Sequence, residues 1–337
     1  MANVLVTGGA GYVGCHVLLP LIEHGHQPIV LDNLSRGHRS MATLHPSILF
    51  VEGALRDRAL IQHTLNRYNI DAVMHYAALA YVEESSSIPD AYYQTNSFDT
   101  LGLLEELIRY RPEAPPPLVF SSSCAVFGNP DTLPVTEQTA KEPISPYGRS
   151  KLMAEWLLED VGHSAGSSTV LLRYFNASGA DFNNRTGECH APETHLIPLA
   201  IRAARSHQCF LINGSDFPTP DGTAIRDFVH VRDLASAHIA ALNYLLAGGK
   251  SDDFNLGSGL GHSVLEVVHA IERITATKME ITHSPRRLGD PAALVCDPSK
   301  ARKILQWVPQ YSDLDVIVHD AAAWDALLYS SKEVSLV

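Results

Sequence analysis

The passage that most constrains this chain is its opening, Val4-Leu5-Val6-Thr7-Gly8-Gly9-Ala10-Gly11-Tyr12-Val13-Gly14. An apolar, β-branched run stops at a glycine cluster and a helical pattern begins at once. Side chains at such a turn would keep a ligand off the helix N-terminus, where unpaired N–H groups and the positive dipole end favour an anion. Two registers fit a dinucleotide turn, Gly8/Gly11/Gly14 and Gly9/Gly11/Gly14. The alternation then repeats. Strand-like runs at Val4–Val6, Pro28–Leu31, Ile48–Val51, Ala72–His75, Leu118–Phe120 and Val170–Leu172 are separated by amphipathic stretches around Val13–His24, Asp57–Tyr68, Tyr92–Arg109 and Tyr147–Val161. Short apolar strands alternating with helices specify a parallel sheet covered on both faces, an α/β doubly wound (Rossmann-type) fold.

After about Phe175 the alternation lapses. Residues 176–227 are rich in Gly, Asn, Asp and Pro, with one clear helix at Leu196–Ser206, followed by helical patterns at Leu234–Leu246 and Val264–Ile274 and a strand at Met279–His283. The expected division is a dinucleotide-binding domain over 1–175 and a smaller α/β substrate domain over 176–337, with some segments of the latter returning to the first.

Asp32 closes the second strand, 18 residues past Gly14. A carboxylate there accepts hydrogen bonds from an adenosine ribose, and it repels a 2′-phosphate, so NAD is favoured. Arg36 and Arg39 keep an NADP reading open. In Tyr147-Gly148-Arg149-Ser150-Lys151 a tyrosine and a lysine stand at i and i+4, on one face of a helix. An ammonium beside the phenol, with a positive nicotinamide, would lower a pKa normally near ~10 and make the tyrosine a general base. Upstream, an apolar strand ends in Phe120-Ser121-Ser122-Ser123, at the sheet edge where ligands bind in such folds.

With 37 acidic against 25 basic side chains, the chain carries a formal charge of −12. That excludes a general nucleic-acid or anionic-membrane partner, and a phosphate ester would have to be met by a few placed arginines. The five cysteines are scattered, which suits neither a disulfide framework nor a zinc site. The start of the chain enters a strand without a targeting pattern, and no apolar run suggests a membrane span, so a cytoplasmic location is expected.

The strings Thr7–Gly14, Asp32-Asn33-Leu34-Ser35, Phe120–Ser123, Ser145–Lys151 and Leu172-Arg173-Tyr174-Phe175-Asn176 resemble the extended short-chain dehydrogenases. Pro192–Pro198, Asp221-Gly222-Thr223, Arg226–Val231, Asn255-Leu256-Gly257 and Pro285–Pro291 resemble the UDP-glucose 4-epimerases in particular, in order along nearly the whole chain. The resemblance implies an NAD-dependent 4-epimerisation of a UDP-sugar through a transient 4-keto intermediate, by an enzyme that is usually a homodimer. UDP-glucose/UDP-galactose leads as substrate; UDP-xylose/UDP-arabinose and the UDP-N-acetylhexosamines follow.

By the same resemblance Tyr147 is the base, Lys151 its modulator and a cofactor ligand, and Ser123 a hydrogen-bond partner of the reacting 4-hydroxyl. Gly8, Gly11, Tyr12, Val13, Gly14, Asp32, Asn33, Leu34, Ser35, Ala77, Asn96 and Phe175 fall where the family contacts NAD. Asn176, Leu196, Arg226, Arg287 and Asp290 fall where it holds the nucleotide diphosphate sugar, and Leu294 where it gates the 2-substituent. Guanidinium forks match phosphate oxygens on their own chemistry.

Three positions depart from the family pattern: Ala54 replaces an adenine-contacting aspartate, Ala80 a lysine, and Phe228 a tyrosine near the phosphates. A 4,6-dehydratase would carry an Asp-Glu pair after the strand-end serines, where this chain has Ser123-Cys124-Ala125. A non-catalytic NAD-binding protein would be expected to lose Tyr147 or Lys151. The 17 histidines include His190 and His195 flanking Glu193, but no H-E-x-x-H or comparable spacing occurs, and no metal is expected.

Overall fold

The computed structural model describes residues 1–287 and 290–334, so Leu288 and Gly289 of the Pro285–Pro291 string lie outside the described residues. The first half supplies strands β1 (Asn3–Thr7), β2 (Gln27–Asp32), β3 (Leu49–Glu52), β4 (Ala72–His75), β5 (Leu118–Ser123) and β6 (Thr169–Tyr174). The second supplies β7 (Asn176–Ser178), β8 (Phe210–Asn213), β9 (Ile225–His230), β10 (Asp252–Leu256), β11 (Gly261–Ser263), β12 (Ile281–Ser284) and β13 (Ala293–Leu294). The large sheet runs β10-β6-β5-β4-β1-β2-β3, and all its pairings are parallel. Strand order reverses between β1 and β4, which opens a crevice beyond the carboxyl ends of both strands.

The period of two sorts the strand side chains between two apolar layers. Val4, Val6, Val30, Met74, Val119, Val170 and Leu172 pack on one face with Leu18, Leu21, Leu234 and Leu242. Leu5, Ile29, Leu31, Val73, Phe120 and Leu171 pack on the other with Ile61, Leu65, Leu103, Leu107 and Leu158. The first face is covered by the helices Leu18–Glu23 and Val231–Leu246, the second by Arg58–Tyr68, Asp99–Tyr110 and Pro146–Ser164. The chain past residue 175 thus returns to the large sheet: Val231–Leu246 covers its first face, and β10 extends it beside β6.

A second apolar cluster joins Ile197, Ile201, Phe210, Phe228, Val267, Ile271, Ile317 and Val318. It is built on the helices Leu196–Ser206, Val264–Thr275 and Leu314–Val334, the middle one opened by a Ser263/Glu266 capping box. β9 is the hub of this region, pairing with β7, β11 and β13. Among the described residues no helix is long and apolar enough to cross a membrane.

Three histidines are sealed in this framework as neutral rings. Burial holds His16 and His238 down to about 4 and His75 to about 3. His238 Nδ1 lies 2.8 Å from the Leu234 carbonyl, and its buried Nε2 has no hydrogen-bond partner. Because these folded pKa values lie below the unfolded value near ~6.5, the unfolded chain binds more protons as pH falls. Stability is therefore expected to fall from pH ~6.5 down to the folded values, by about 1.4 kcal/mol per pH unit for each such ring. His238→Asn, whose amide N–H can replace the Nδ1 donor, should flatten that slope in pH-dependent unfolding. An unchanged slope would count against the assignment.

Candidate active site

The glycine turn has the geometry its sequence suggests. Gly8 has φ +71°, and a Cβ there would lie 2.5 Å from the Ala77 amide nitrogen; a Cβ on Gly14 would lie 2.4 Å from the Gly8 carbonyl. Only glycine permits those two approaches. At Gly11, just before the helix Tyr12–His16, an added Cβ would lie 3.3 Å from the Gly8 carbonyl oxygen, a tight contact. Asp32, at the end of β2, accepts from Ala10 N at 3.0 Å and Leu34 N at 2.8 Å. Burial raises its carboxyl above the usual range, and those two N–H groups pull it back. Leu34 takes φ +57° and Asn33 Oδ1 accepts from Ser35 N, which folds Asp32–Ser35 around the carboxylate.

Tyr12 donates to the Gly179 carbonyl at 2.7 Å, and Val13 packs partly buried against the first apolar layer. Asn96 lies in a single π-turn, Gln94–Phe98, that interrupts the predicted continuous helix. Its amide accepts from Leu79 N and donates to Leu79 O and Ser150 Oγ, so it fixes the segment after β4 to the helix Pro146–Ser164.

That helix carries the chemistry set. Ser145 caps it, accepting from Gly148 N at 3.1 Å, and Pro146 opens it. Tyr147 and Lys151 are both buried. Lys151 Nζ donates to the Ser121 carbonyl at 2.8 Å and lies 4.9 Å from the Phe120 ring centroid. Ser123, the last residue of β5, accepts from Ala125 N at 3.2 Å and is close enough to act on the Tyr147 phenol. The sequence reading expects Lys151 to depress the Tyr147 phenol. In the protein alone burial wins: it pushes Tyr147 well above 10, with only Ser123 lowering it. Lys151 itself is pulled down to about 7 by burial, against the opposing charge of Glu155.

On the facing side, Asn176 Nδ2 donates to the Asp227 carbonyl at 2.8 Å, and Arg226 is ion-paired with Asp290. The Arg226 charge also acts to lower the Cys124 thiol, next to Ser123, against the stronger upward push of burial. Leu294 pairs with Arg226 across β13 and β9. It is buried in an apolar cluster with Phe175, Leu152, Val126 and Cys296. Leu196 opens the helix Leu196–Ser206. Arg287 is exposed and makes no side-chain hydrogen bond or ion pair among the described residues, although Asp290 N donates to its carbonyl at 3.2 Å.

The three departures also have places. Ala54 is half-buried, and Asp57 cannot stand in for an aspartate there, because its carboxylate caps the helix Arg58–Tyr68 by accepting from Leu60 N. Ala80 is exposed. The Phe228 ring is buried in the second apolar cluster, so a hydroxyl at this position would project into core.

The model for the NAD dependent epimerase/dehydratase family matches residues 4–257. The chain belongs to that family. A UDP-glucose 4-epimerase of Rhizobium meliloti (strain 1021) is 45% identical over 323 residues, 96% of each chain. Among solved structures, the UDP-glucose 4-epimerase of Brucella ovis in complex with NAD superposes with a TM-score of 0.91 at 45% identity, covering 96% of this chain and 98% of that one. The enzyme of Stenotrophomonas maltophila, with bound NAD and formylated UDP-arabinopyranose, gives 0.94 at 36% identity, covering 98% and 100%.

Sequence reasoning passed over several residues of this family member's site. Tyr92 sets its ring edge-on to Tyr147 at 6.4 Å, and the Tyr174 hydroxyl bonds Ser121. Behind them, Arg173, Glu155 and Asp253 form a buried ion network that also engages Ser122. Glu155 lies four residues past Lys151 on the same helical face, a continuation of the Tyr147/Lys151 spacing that could have revealed it.

Proposed function

We propose that this chain interconverts the C4 epimers of a UDP-sugar, with UDP-glucose and UDP-galactose the leading pair, using tightly held NAD. The observation that carries the reading is the convergence of Ser123, Tyr147 and Lys151 at the carboxyl end of β5, with Arg226 of β9 ion-paired to Asp290. The turn fits NAD on its own terms: glycines where a Cβ would strike backbone, and an Asp32 carboxylate with acceptor capacity left for ribose hydroxyls. Bound there, NAD takes up and gives back the C4 hydrogen.

Tyr147 removes and returns the proton on the sugar's 4-oxygen, and Ser123 holds that oxygen in line. Lys151 supplies the charge that makes the phenolate accessible near neutral pH. Arg226 and Arg287 meet the diphosphate, Asp290 orients Arg226, and Asn176 and Leu196 border the nucleotide. Leu294 lines the pocket beside the sugar's 2-substituent. Residues 1–175 carry the cofactor, and 176–337 carry the sugar nucleotide while returning β10 to the large sheet. The same reading expects a cytoplasmic homodimer, for which exposed Phe98 and Trp156 supply apolar surface.

A 4,6-dehydratase needs a free acid and base near C6. Beyond Ser123 stand Cys124 and Ala125, and the nearby Glu155 carboxylate is locked onto Arg173. UDP-glucose deuterated at C4 should therefore give UDP-galactose with the label still at C4, none entering from heavy water and no NADH accumulating with turnover. A 6-deoxy-4-keto product would mean a dehydratase, and stoichiometric NADH a net dehydrogenase; either replaces this reading.

A further inference from the structure

Away from the chemistry set, the segment before the helix Leu196–Ser206 folds two Glu-x-His triplets, Glu188-Cys189-His190 and Glu193-Thr194-His195, onto one point. Glu188 Oε1 lies 2.6 Å from His195 Nδ1 and 3.0 Å from His190 Nδ1. Glu193 Oε1 lies 3.1 Å from His195 Nδ1 and 3.9 Å from His190 Nδ1. One potential ligand atom from each of the four residues lies within 4.8 Å of the other three. Ligands about 2.0–2.1 Å from a tetrahedral Zn²⁺ stand about 3.3 Å apart, within the span of these separations.

We propose that Glu188, His190, Glu193 and His195 form a binding site for a divalent transition-metal ion, with Zn²⁺ as its occupant. Two further features support it. The carboxylates are nearly sealed, with side-chain exposures of 8% for Glu188 and 2% for Glu193. Glu193 Oε2 is buried without a hydrogen-bond partner. In the protein alone these carboxylates hold the His195 imidazole up to about 10 against its burial, and Arg202 Nη2 lies 3.9 Å from Glu193 Oε2. A divalent ion would take over that compensation by displacing the imidazole proton and using the freed lone pair.

The backbone is also held ready. Trp324 Nε1 donates to the Glu188 carbonyl at 2.8 Å, His38 Nε2 lies 2.9 Å from the Cys189 carbonyl oxygen, and Thr194 N and His195 N donate to Glu193 Oε1. Tyr81 sets its ring edge-on to His190 at 5.5 Å. Four protein ligands without an open position describe a structural rather than a catalytic ion. It would pin the segment 188–195 beside Tyr12 and Tyr81 and fix where Leu196 begins its helix. The expectation of no metal rests on the absence of H-E-x-x-H or comparable spacing; these four residues lie in irregular chain, where such motifs do not apply.

The test uses the full-length enzyme, stripped with chelator and titrated with Zn²⁺. One ion per chain by elemental analysis and a rise in unfolding temperature are expected. His190→Ala and Glu193→Gln should weaken the affinity at least ~10²-fold, at or beyond the upper end for outer-shell losses. NAD binding in the variants reports that they fold. No retained zinc and no thermal shift in the wild type would overturn the proposal. So would equal binding by a variant, which would place the ion on other histidines. Anomalous scattering at the zinc edge from wild-type crystals decides independently of any variant: a peak among the four side chains supports the site, and its absence overturns it.

Discussion

Tyr147→Phe is expected to lower turnover at least ~10²-fold, the low end for loss of a general base, while leaving the fold and NAD binding intact. The ring is buried against Tyr92, so phenylalanine keeps the packing and removes one hydroxyl. The polar side chain acting on that hydroxyl is Ser123, which retains the Ala125 amide as a donor, so the variant strands no strong buried group. The electrostatics explain why the loss should fall on turnover rather than on binding. Burial keeps the phenol neutral in the protein alone, and Lys151 at about 7 is poised between charge states. Proton transfer at Tyr147 thus depends on positive charge assembled around it, and phenylalanine offers nothing for that charge to act on. Steady-state rates with UDP-glucose, alongside NAD and UDP titrations, check the prediction. Activity near that of the wild type would remove Tyr147 from the role.

Much of this arrangement was legible because it is local. The six strand-like runs of the first half each match one of β1–β6 to within three residues at either end, since each is a short apolar stretch between turn signals. The glycine turn and the Tyr147/Lys151 spacing are likewise fixed by near neighbours. What was missed is long-range. β10 gave no strand signal, because Asp252, Asp253 and Asn255 break its apolar pattern; Asp253 and Asn255 are polar because they bind Arg173 and the Val135 carbonyl. The stretch read as one helix from Tyr92 is interrupted at Asn96, where tertiary hydrogen bonds to Leu79 and Ser150 outweigh helix continuity. The convergence of Glu188 with His195 depends on how an irregular segment folds back, and periodicity has no purchase there.

The largest stability effect should come from the network behind the site. Arg173 is fully buried in β6, and Glu155 is 1% exposed on the helix of Tyr147 and Lys151. Their guanidinium–carboxylate contacts measure 2.7–3.1 Å. Asp253 of β10 takes the remaining fork at 2.5 Å and is shared with Lys300, while Ser122 donates to Glu155 from β5. Removing one partner of such a pair leaves an undercompensated charge out of water, which costs about 3–5 kcal/mol. Glu155→Gln keeps the shape and removes the charge, so it is expected to lose about that much in denaturant unfolding, with the midpoint moved and the slope unchanged. Because Glu155 is the charge that holds Lys151 up, the same variant should lose the Lys151 ammonium at lower pH, moving the alkaline limb of the rate profile downward. A double replacement, Glu155→Leu with Arg173→Met, tests the cause: if burial of an unpaired charge is the penalty, the apolar pair should recover most of the lost stability. A Glu155→Gln cost within about 1 kcal/mol, the range of an exposed ion pair, would refute that account.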